Sequence, residues 1–460
     1  MKRRGWFSRL LAISVVLVLV ISGCSKGNNG DSASSAPSNT PTSSPVEPSA
    51  TSSEAPPEEN KEPVTIRMLT WNEGYKGLFD LFHKEFPWIT VEPVFITTPT
   101  IIETVVAQEA AGTPVDILWI DDLSTFIKED LLDDLKPYMA KDPIIQNTKF
   151  NPGFIEQFDI NDVRYASPFV YVPTWLAINK DLMSKHGLEM PPNDWTLDDF
   201  REMAKKATDP AAGEFGLAHS YLFPLHFLRA VSTANGNAAN LDFMNADLTQ
   251  SVMNTPGVLE DIRWMKEFVT KDGSLASTAK AAELGLDANA DFMAGKSLFE
   301  FIGDWSLSNL NKNASFEWDV LPLPKGKAKQ VTYGMVGAFG LAKASKHKEE
   351  AYKWISWQFT KTAQKWKIDQ GASASIIDDE VFAYYDETPM WKGKNIEAVK
   401  ATNQFKCCLS MLQKIPASST MPLAQTIQIV LGDLEPESVI PLVDQWNAQT
   451  VKVRKELGWR

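Results

Sequence analysis

Three points in the chain set a carboxylate beside an aromatic ring or a second carboxylate, each just after an apolar run of strand length. Gly303-Asp304-Trp305 follows Ser297–Ile302. Trp71-Asn72-Glu73 closes a strand expected over Val64–Trp71, in which Val64, Ile66 and Met68 share one face. Asp121-Asp122 follows Val115–Ile120, a near-continuous apolar run suited to a parallel strand buried on both faces. In open α/β sheets ligands sit beyond the carboxyl ends of strands. Paired carboxylates could also cleave glycosides, although sequence does not set their separation. Each group has a plainer reading as well. Trp305 could be core, and Asp121 or Asp122 could cap a helix over Leu123–Leu132.

Other chemistries find less support. No His-Glu-x-x-His occurs, and five His with no close-spaced His/Cys cluster give no zinc site. Ala294-Gly295-Lys296-Ser297 mimics part of a phosphate loop, but Ala290 stands where its first glycine belongs. Tyr384-Tyr385 would suit ferric iron, with burial in a core as the alternative. The formal charge is −13, and without the four basic residues of 1–23 it becomes −17. So acidic a chain is a poor partner for nucleic acid or an anionic membrane surface.

The elements that must hold these groups begin after an address. Lys2, Arg3, Arg4 and Arg9 precede the apolar stretch Leu10–Ile21, which has the flanks of a signal peptide and is short for a membrane span. Ile21-Ser22-Gly23-Cys24 resembles the bacterial lipobox, which implies a lipidated Cys24 at the mature N-terminus. Residues 25–63, rich in Ser, Pro and Thr, have too little apolar surface to offset their conformational entropy and read as a disordered tether. Roughly 400 residues remain, too many for one ordinary core, so two lobes are expected. Cys407 and Cys408 are adjacent and read as buried thiols, a strained vicinal bond being the alternative. With no disulfide framework, a hydrophobic core must hold the fold, and 44% hydrophobic residues permit one.

Helices and strands alternate. Leu78, Phe79, Phe82 and Phe86 recur at helical spacing ahead of Pro87, Thr90–Ile96 reads as a strand, and Thr100–Ala111 as a helix stopped by Gly112. This βαβαβ order predicts a doubly wound α/β lobe. Tyr165–Lys180 is extended and carries two prolines, as a crossover between lobes would. Thr196-x-x-Asp199 has capping-box spacing. Ser251–Val269 and Lys346–Thr360 read as helices, Trp318–Pro324 as a strand, and glycine-rich Thr332–Leu341 as extended chain open to close approach. Within Asp291–Trp305, Gly295 suits a helix stop before the strand.

Four segments, in order, resemble the extracellular solute-binding lipoproteins of ABC importers, family 1, the maltose-binding-protein-like group. They are Val170–Met183 with Asn179-Lys180-Asp181-Leu182, Met190–Thr196, Phe292–Trp305 with Phe292-x-x-Gly295-Lys296 and Gly303-x-Trp305, and Leu321–Phe359. The resemblance implies an α/β, two-lobed, type II periplasmic-binding-protein-like fold with three interlobe crossings, near Val172–Trp175, Val336–Phe339 and Gly371–Ile376. It implies an N-lobe of 64–172 and 338–372, a C-lobe of 173–337 and 373–460, and hinge closure on ligand. It further implies a monomeric, non-enzymatic receptor without cofactor or metal, lipid-anchored on the extracellular face of the cell membrane, passing a carbohydrate to permease subunits.

A sugar has apolar CH faces and a rim of hydroxyls, matched by aromatic platforms and by carboxylate acceptors. The cleft candidates are then Trp71, Glu73, Asp121, Asp122, Tyr171, Tyr221, Asp304 and Trp305. Thr420-Met421-Pro422-Leu423 stands where relatives carry another stacking aromatic, which argues against a long malto-oligosaccharide. The readings kept beside this one are an exported carbohydrate hydrolase and a receptor of the same superfamily for a metal or another small solute.

Overall fold

Val64–Thr70 forms β1 and lies in parallel, residue against residue, beside β2 (Ile89–Phe95), with helix α1 (Lys76–Glu85) between them in the chain. Helix α2 (Ile101–Ala110), capped by the Thr100 hydroxyl, leads into β3 (Ile117–Ile120), also parallel to β1. This computed structural model describes residues 62–70, 74–96, 100–150, 153–286, 290–404, 410 and 414–459. Cys24, residues 25–61, Trp71, Glu73, Cys407 and Cys408 lie outside them.

Beyond helix α3 (Leu123–Lys128) come the short hairpin β4 (Asp159–Ile160) and β5 (Val163–Arg164), then β6 (Ser167–Val172) and β7 (Trp175–Asn179). Later strands are β8 (Phe215–Leu217), β9 (Ser297–Ile302), β10 (Trp318–Leu321) and β11 (Met335–Leu341). They form a five-stranded sheet of order β2-β1-β3-β11-β6 and a four-stranded sheet of order β10-β7-β9-β8. The first is parallel through β2, β1 and β3 and antiparallel at β11 and β6.

The chain changes sheet at Pro173-Thr174, between β6 and β7. It returns between Leu321 and Met335, so Val336–Phe339 lie inside β11, later than the passage itself. The two passages are stitched together. Thr174 N–H donates to the Thr332 hydroxyl (3.2 Å), that hydroxyl donates to the Thr174 carbonyl (2.9 Å), and the Thr174 hydroxyl donates to the Tyr333 carbonyl (3.0 Å). All of this is buried, where an unpaired polar group would be costly. A third stretch passes the same edge, with Ser373 N–H donating to the Tyr171 carbonyl (3.1 Å) after Gly371 at φ +92°.

Helices begin and end where their local chemistry dictates. The Thr196/Asp199 capping box is complete, and Gly295 adopts φ +72° after the helix Ala290–Met293. The helix expected over Ser251–Val269 starts only at Pro256, since proline is favoured in a first turn and unfavourable within a helix. That expected over Leu123–Leu132 ends at Lys128. Much of the tryptophan is core. Trp354 and Trp357 pack against Phe82 of α1 at 5.0 and 5.3 Å between ring centroids. Trp195 is buried with its indole N–H donating to the Pro322 carbonyl (2.9 Å).

Candidate ligand-binding cleft

Strand β9 is buried along its whole length. It runs directly into a helix, Asp304–Asn313, with Gly303 as the N-cap, where residue types alone suggest only a tight turn. Trp305 stands in the first turn of that helix with 45% of its surface exposed. Its indole folds back over Gly303, where a Cβ would meet the ring at 2.3 Å. The glycine thus sets the lie of the ring, and Gly303→Ala is expected to displace it. Ligand affinity should fall at least several-fold with the melting temperature nearly unchanged, measured by calorimetry beside thermal denaturation.

Asp304 opens the same helix. Burial pushes its carboxyl up to about 6, against the lowering effect of a backbone hydrogen bond from Trp305. Facing it is Tyr75, whose ring meets Phe169 edge-on at 5.1 Å. Burial, and then the charge of Asp304, push that phenol up to about 12. Asp121 lies at the carboxyl end of β3, open to the cavity, and accepts from Asp122 N–H (2.8 Å). Burial raises its carboxyl against that hydrogen bond. From β3 itself the Trp119 indole lies over Gly337 of β11, where a Cβ would come within 2.3 Å of the ring. Close approach at the glycine-rich strand is therefore made by a neighbouring side chain.

These groups line one cavity of about 620 Å³, between the carboxyl ends of β3 and β9. That lies within the range of about 300–1,000 Å³ usual for small-molecule sites. Val170, Val172, Met335 and Val336 give it an apolar wall, and His226, Tyr333, Gln370 and Ser410 complete the lining. Beneath Tyr333 the fully buried Arg229 pairs with Asp242 and donates to the Tyr333 hydroxyl (2.5 Å). The Ser410 hydroxyl donates to Asp242 (2.8 Å). The His226 ring lies 4.8 Å from that of Tyr333, and burial together with Arg229 holds its pKa down to about 3, so it is neutral.

The sequence candidates divide accordingly. Asp121, Asp304 and Trp305 meet at the cavity. Asp122 instead caps α3, accepting from Ser124 N–H (3.0 Å), the Ser124 hydroxyl (2.5 Å) and the Thr125 hydroxyl (3.1 Å). Tyr171 is not a lining residue. Val170 and Val172 point into the cavity, so strand alternation turns Tyr171 away, into a buried site beside Phe154. Tyr221 is 49% exposed and also outside the lining, one helical turn before His226. Trp71 and Glu73 lie outside the described residues. Tyr75, Trp119, His226 and Tyr333 join the site without any signal in the sequence. Trp119 sits in a run that reads as buried on both faces, and no local pattern marks the others.

The alternative metal site is not assembled by the tyrosines. The Tyr385 hydroxyl accepts from Ala374 N–H (2.7 Å), while Tyr384 donates to Asp369 (2.9 Å). Among the described residues no group of three or more His, Cys, Asp or Glu could hold a metal ion.

The family described as bacterial extracellular solute-binding protein matches residues 70–365. A putative binding protein of Brucella abortus (strain 2308) is 25% identical over 291 residues, 61% of this chain and 67% of that one. An uncharacterized lipoprotein from the oleD 5′ region of Streptomyces antibioticus is 23% identical over 363 residues, 76% and 72% of the two chains. Among solved structures, an ABC substrate-binding protein of Listeria monocytogenes in complex with cycloalternan superposes with a TM-score of 0.70 at 23% identity, over 87% of this chain and all of that one. That likeness shows the fold, a two-lobed type II binding protein.

Proposed function

The chain belongs to the bacterial extracellular solute-binding protein family, and we propose that it is the receptor of an ABC importer for a mono- or oligosaccharide. The observation that carries the ligand class is the cavity's composition: an exposed Trp305 and half-buried Trp119 and Tyr75 as flat apolar surfaces, with Asp121 and Asp304 as acceptors for hydroxyls. Hydrogen bonds to charged groups are the stronger kind, and aromatic faces take the CH faces of a pyranose. The cycloalternan bound by the Listeria protein supports the same class.

In this reading residues 64–172 with 338–372 form one lobe and 173–337 with 373–460 the other. Ligand favours closure by touching both walls, Trp119 and Asp121 on one side and Asp304 and Trp305 on the other. The closed receptor then delivers its sugar to the permease subunits. Cys24 carries the lipid anchor, and residues 25–63 tether the lobes to the extracellular face of the membrane; the Streptomyces lipoprotein supports the anchor. The receptor is not an enzyme in this reading and works as a monomer.

Isothermal calorimetry against a panel of mono- and oligosaccharides should show saturable binding with no release of reducing sugar. Release of reducing sugar would replace the receptor with the hydrolase. The same titrations carry a sign in pH. Hydroxyl donors favour the ionised form of Asp304, whose carboxyl burial pushes up to about 6. Affinity should therefore hold at pH 7 and fall below pH 6, by at most about tenfold per pH unit.

A further inference from the structure

The described cavity lining contains two carboxylates, Asp121 and Asp304, and no lysine or arginine. Its only other titratable nitrogen belongs to His226, which is neutral. The Arg229 guanidinium lies beneath the floor and is taken up by Asp242, the Tyr333 hydroxyl and the Leu241 carbonyl. Neither carboxylate has an ion pair among the described residues. Asp304 receives backbone hydrogen bonding at the head of its helix, and Asp121 that of its own N–H and of Asp122 N–H. Around them stand three aromatic faces, Trp305 adjoining Asp304 in the same helical turn, Tyr75 facing it, and Trp119 on the opposite wall.

A desolvated carboxylate with no counter-charge is costly unless something supplies one. Here burial pushes the Asp304 carboxyl upward, while Asp121 stands exposed to the cavity. A neutral sugar can offer hydroxyl donors but no charge. An ammonium group supplies both, and aromatic faces attract it through the ring quadrupole, most strongly when water is excluded. The described lining residues offer an anion no cationic side chain. Among the described lining residues the charge left to be balanced is therefore negative.

Resting on the carbohydrate reading above, we propose that the ligand is an amine-bearing saccharide whose ammonium sits against Asp304, between Tyr75 and Trp305. Asp121, on the other wall, accepts from hydroxyls or from a second amine. The prediction is one of preference. On whichever backbone the cleft accepts, the amine should bind more tightly than the matching alcohol, and acetylating the amine should remove the gain, because it removes the charge.

The test is calorimetry of the full chain at pH 7 against matched sets: glucosamine, N-acetylglucosamine and glucose; galactosamine and galactose; and the β-1,4 dimers of glucosamine, N-acetylglucosamine and glucose. The expected result is at least a tenfold advantage of the amine over its neutral partner on a backbone that binds. Asp304→Asn should reduce that ratio to about one while neutral affinity changes less. Raising NaCl should narrow the ratio in the unmodified protein, which needs no variant to fold. A neutral member binding as tightly as its amine on every accepted backbone overturns the proposal and leaves the carbohydrate reading standing. So does a ratio that Asp304→Asn and salt both leave intact. Failure of every member of every set overturns the carbohydrate reading itself.

Discussion

Trp305→Ala should abolish detectable ligand binding while the protein still melts cooperatively. The indole is nearly half exposed and folds over Gly303 at the cavity wall, so few of its contacts belong to the core. Exposed positions of this kind usually change stability by no more than about 0.5 kcal/mol. In the proposed reading the same ring, covered by ligand in a closed cleft, becomes a buried aromatic anchor, and truncating such an anchor costs about 2–4 kcal/mol. That is a loss of roughly 30-fold to 1,000-fold in affinity, since each 1.4 kcal/mol is about tenfold. Asp304 remains in place at the head of its helix, so the measurement isolates the ring. Calorimetry gives the affinity and thermal denaturation the fold. A variant that binds normally would make the ring a bystander, and one that no longer melts cooperatively would make it part of the core.

The two walls of the cleft are unequally legible in sequence. Strands β1, β2 and β3 announce themselves because each is a short apolar run between helix stops, and that order implies a doubly wound lobe. Asp121 and Asp304 stand out because they lie immediately beyond such runs, where backbone topology alone places ligands. Tyr171 shows the limit of this argument. Alternation along β6 states that it opposes Val170 and Val172, but which face meets a cavity depends on the sheet's position in the whole molecule. Asp122 shows another: a carboxylate before a helix serves cap and ligand equally well in sequence, and the Ser124 and Thr125 hydroxyls decide for the cap. Tyr75, Trp119, His226 and Tyr333 come from four separate segments and converge only when the two sheets meet. Nothing local in those segments encodes the convergence.

The second large effect lies under the floor. Asp242→Ala should destabilise the protein by about 3–5 kcal/mol, because it leaves the Arg229 guanidinium buried without its counter-charge. Burial already lowers the Arg229 pKa, with Tyr333 acting in the opposite direction. The remaining partners, the Leu241 carbonyl, the Tyr333 hydroxyl and the Ser410 hydroxyl at 3.4 Å, carry no formal charge. Denaturant unfolding measures the loss, and a change below about 1 kcal/mol would mean that water or another group reaches the guanidinium. Replacing both members, Arg229→Met with Asp242→Leu, removes the charges together and should recover most of the stability, as buried ion pairs exchanged for apolar side chains commonly do. Affinity should not recover with it. Tyr333 would lose the donor that fixes its hydroxyl, and Ser410 the carboxylate that orients its own, and both face the cavity. A double variant that is stable yet binds weakly would assign the pair to the shape of the binding floor, whereas full recovery of both properties would reduce it to a structural brace.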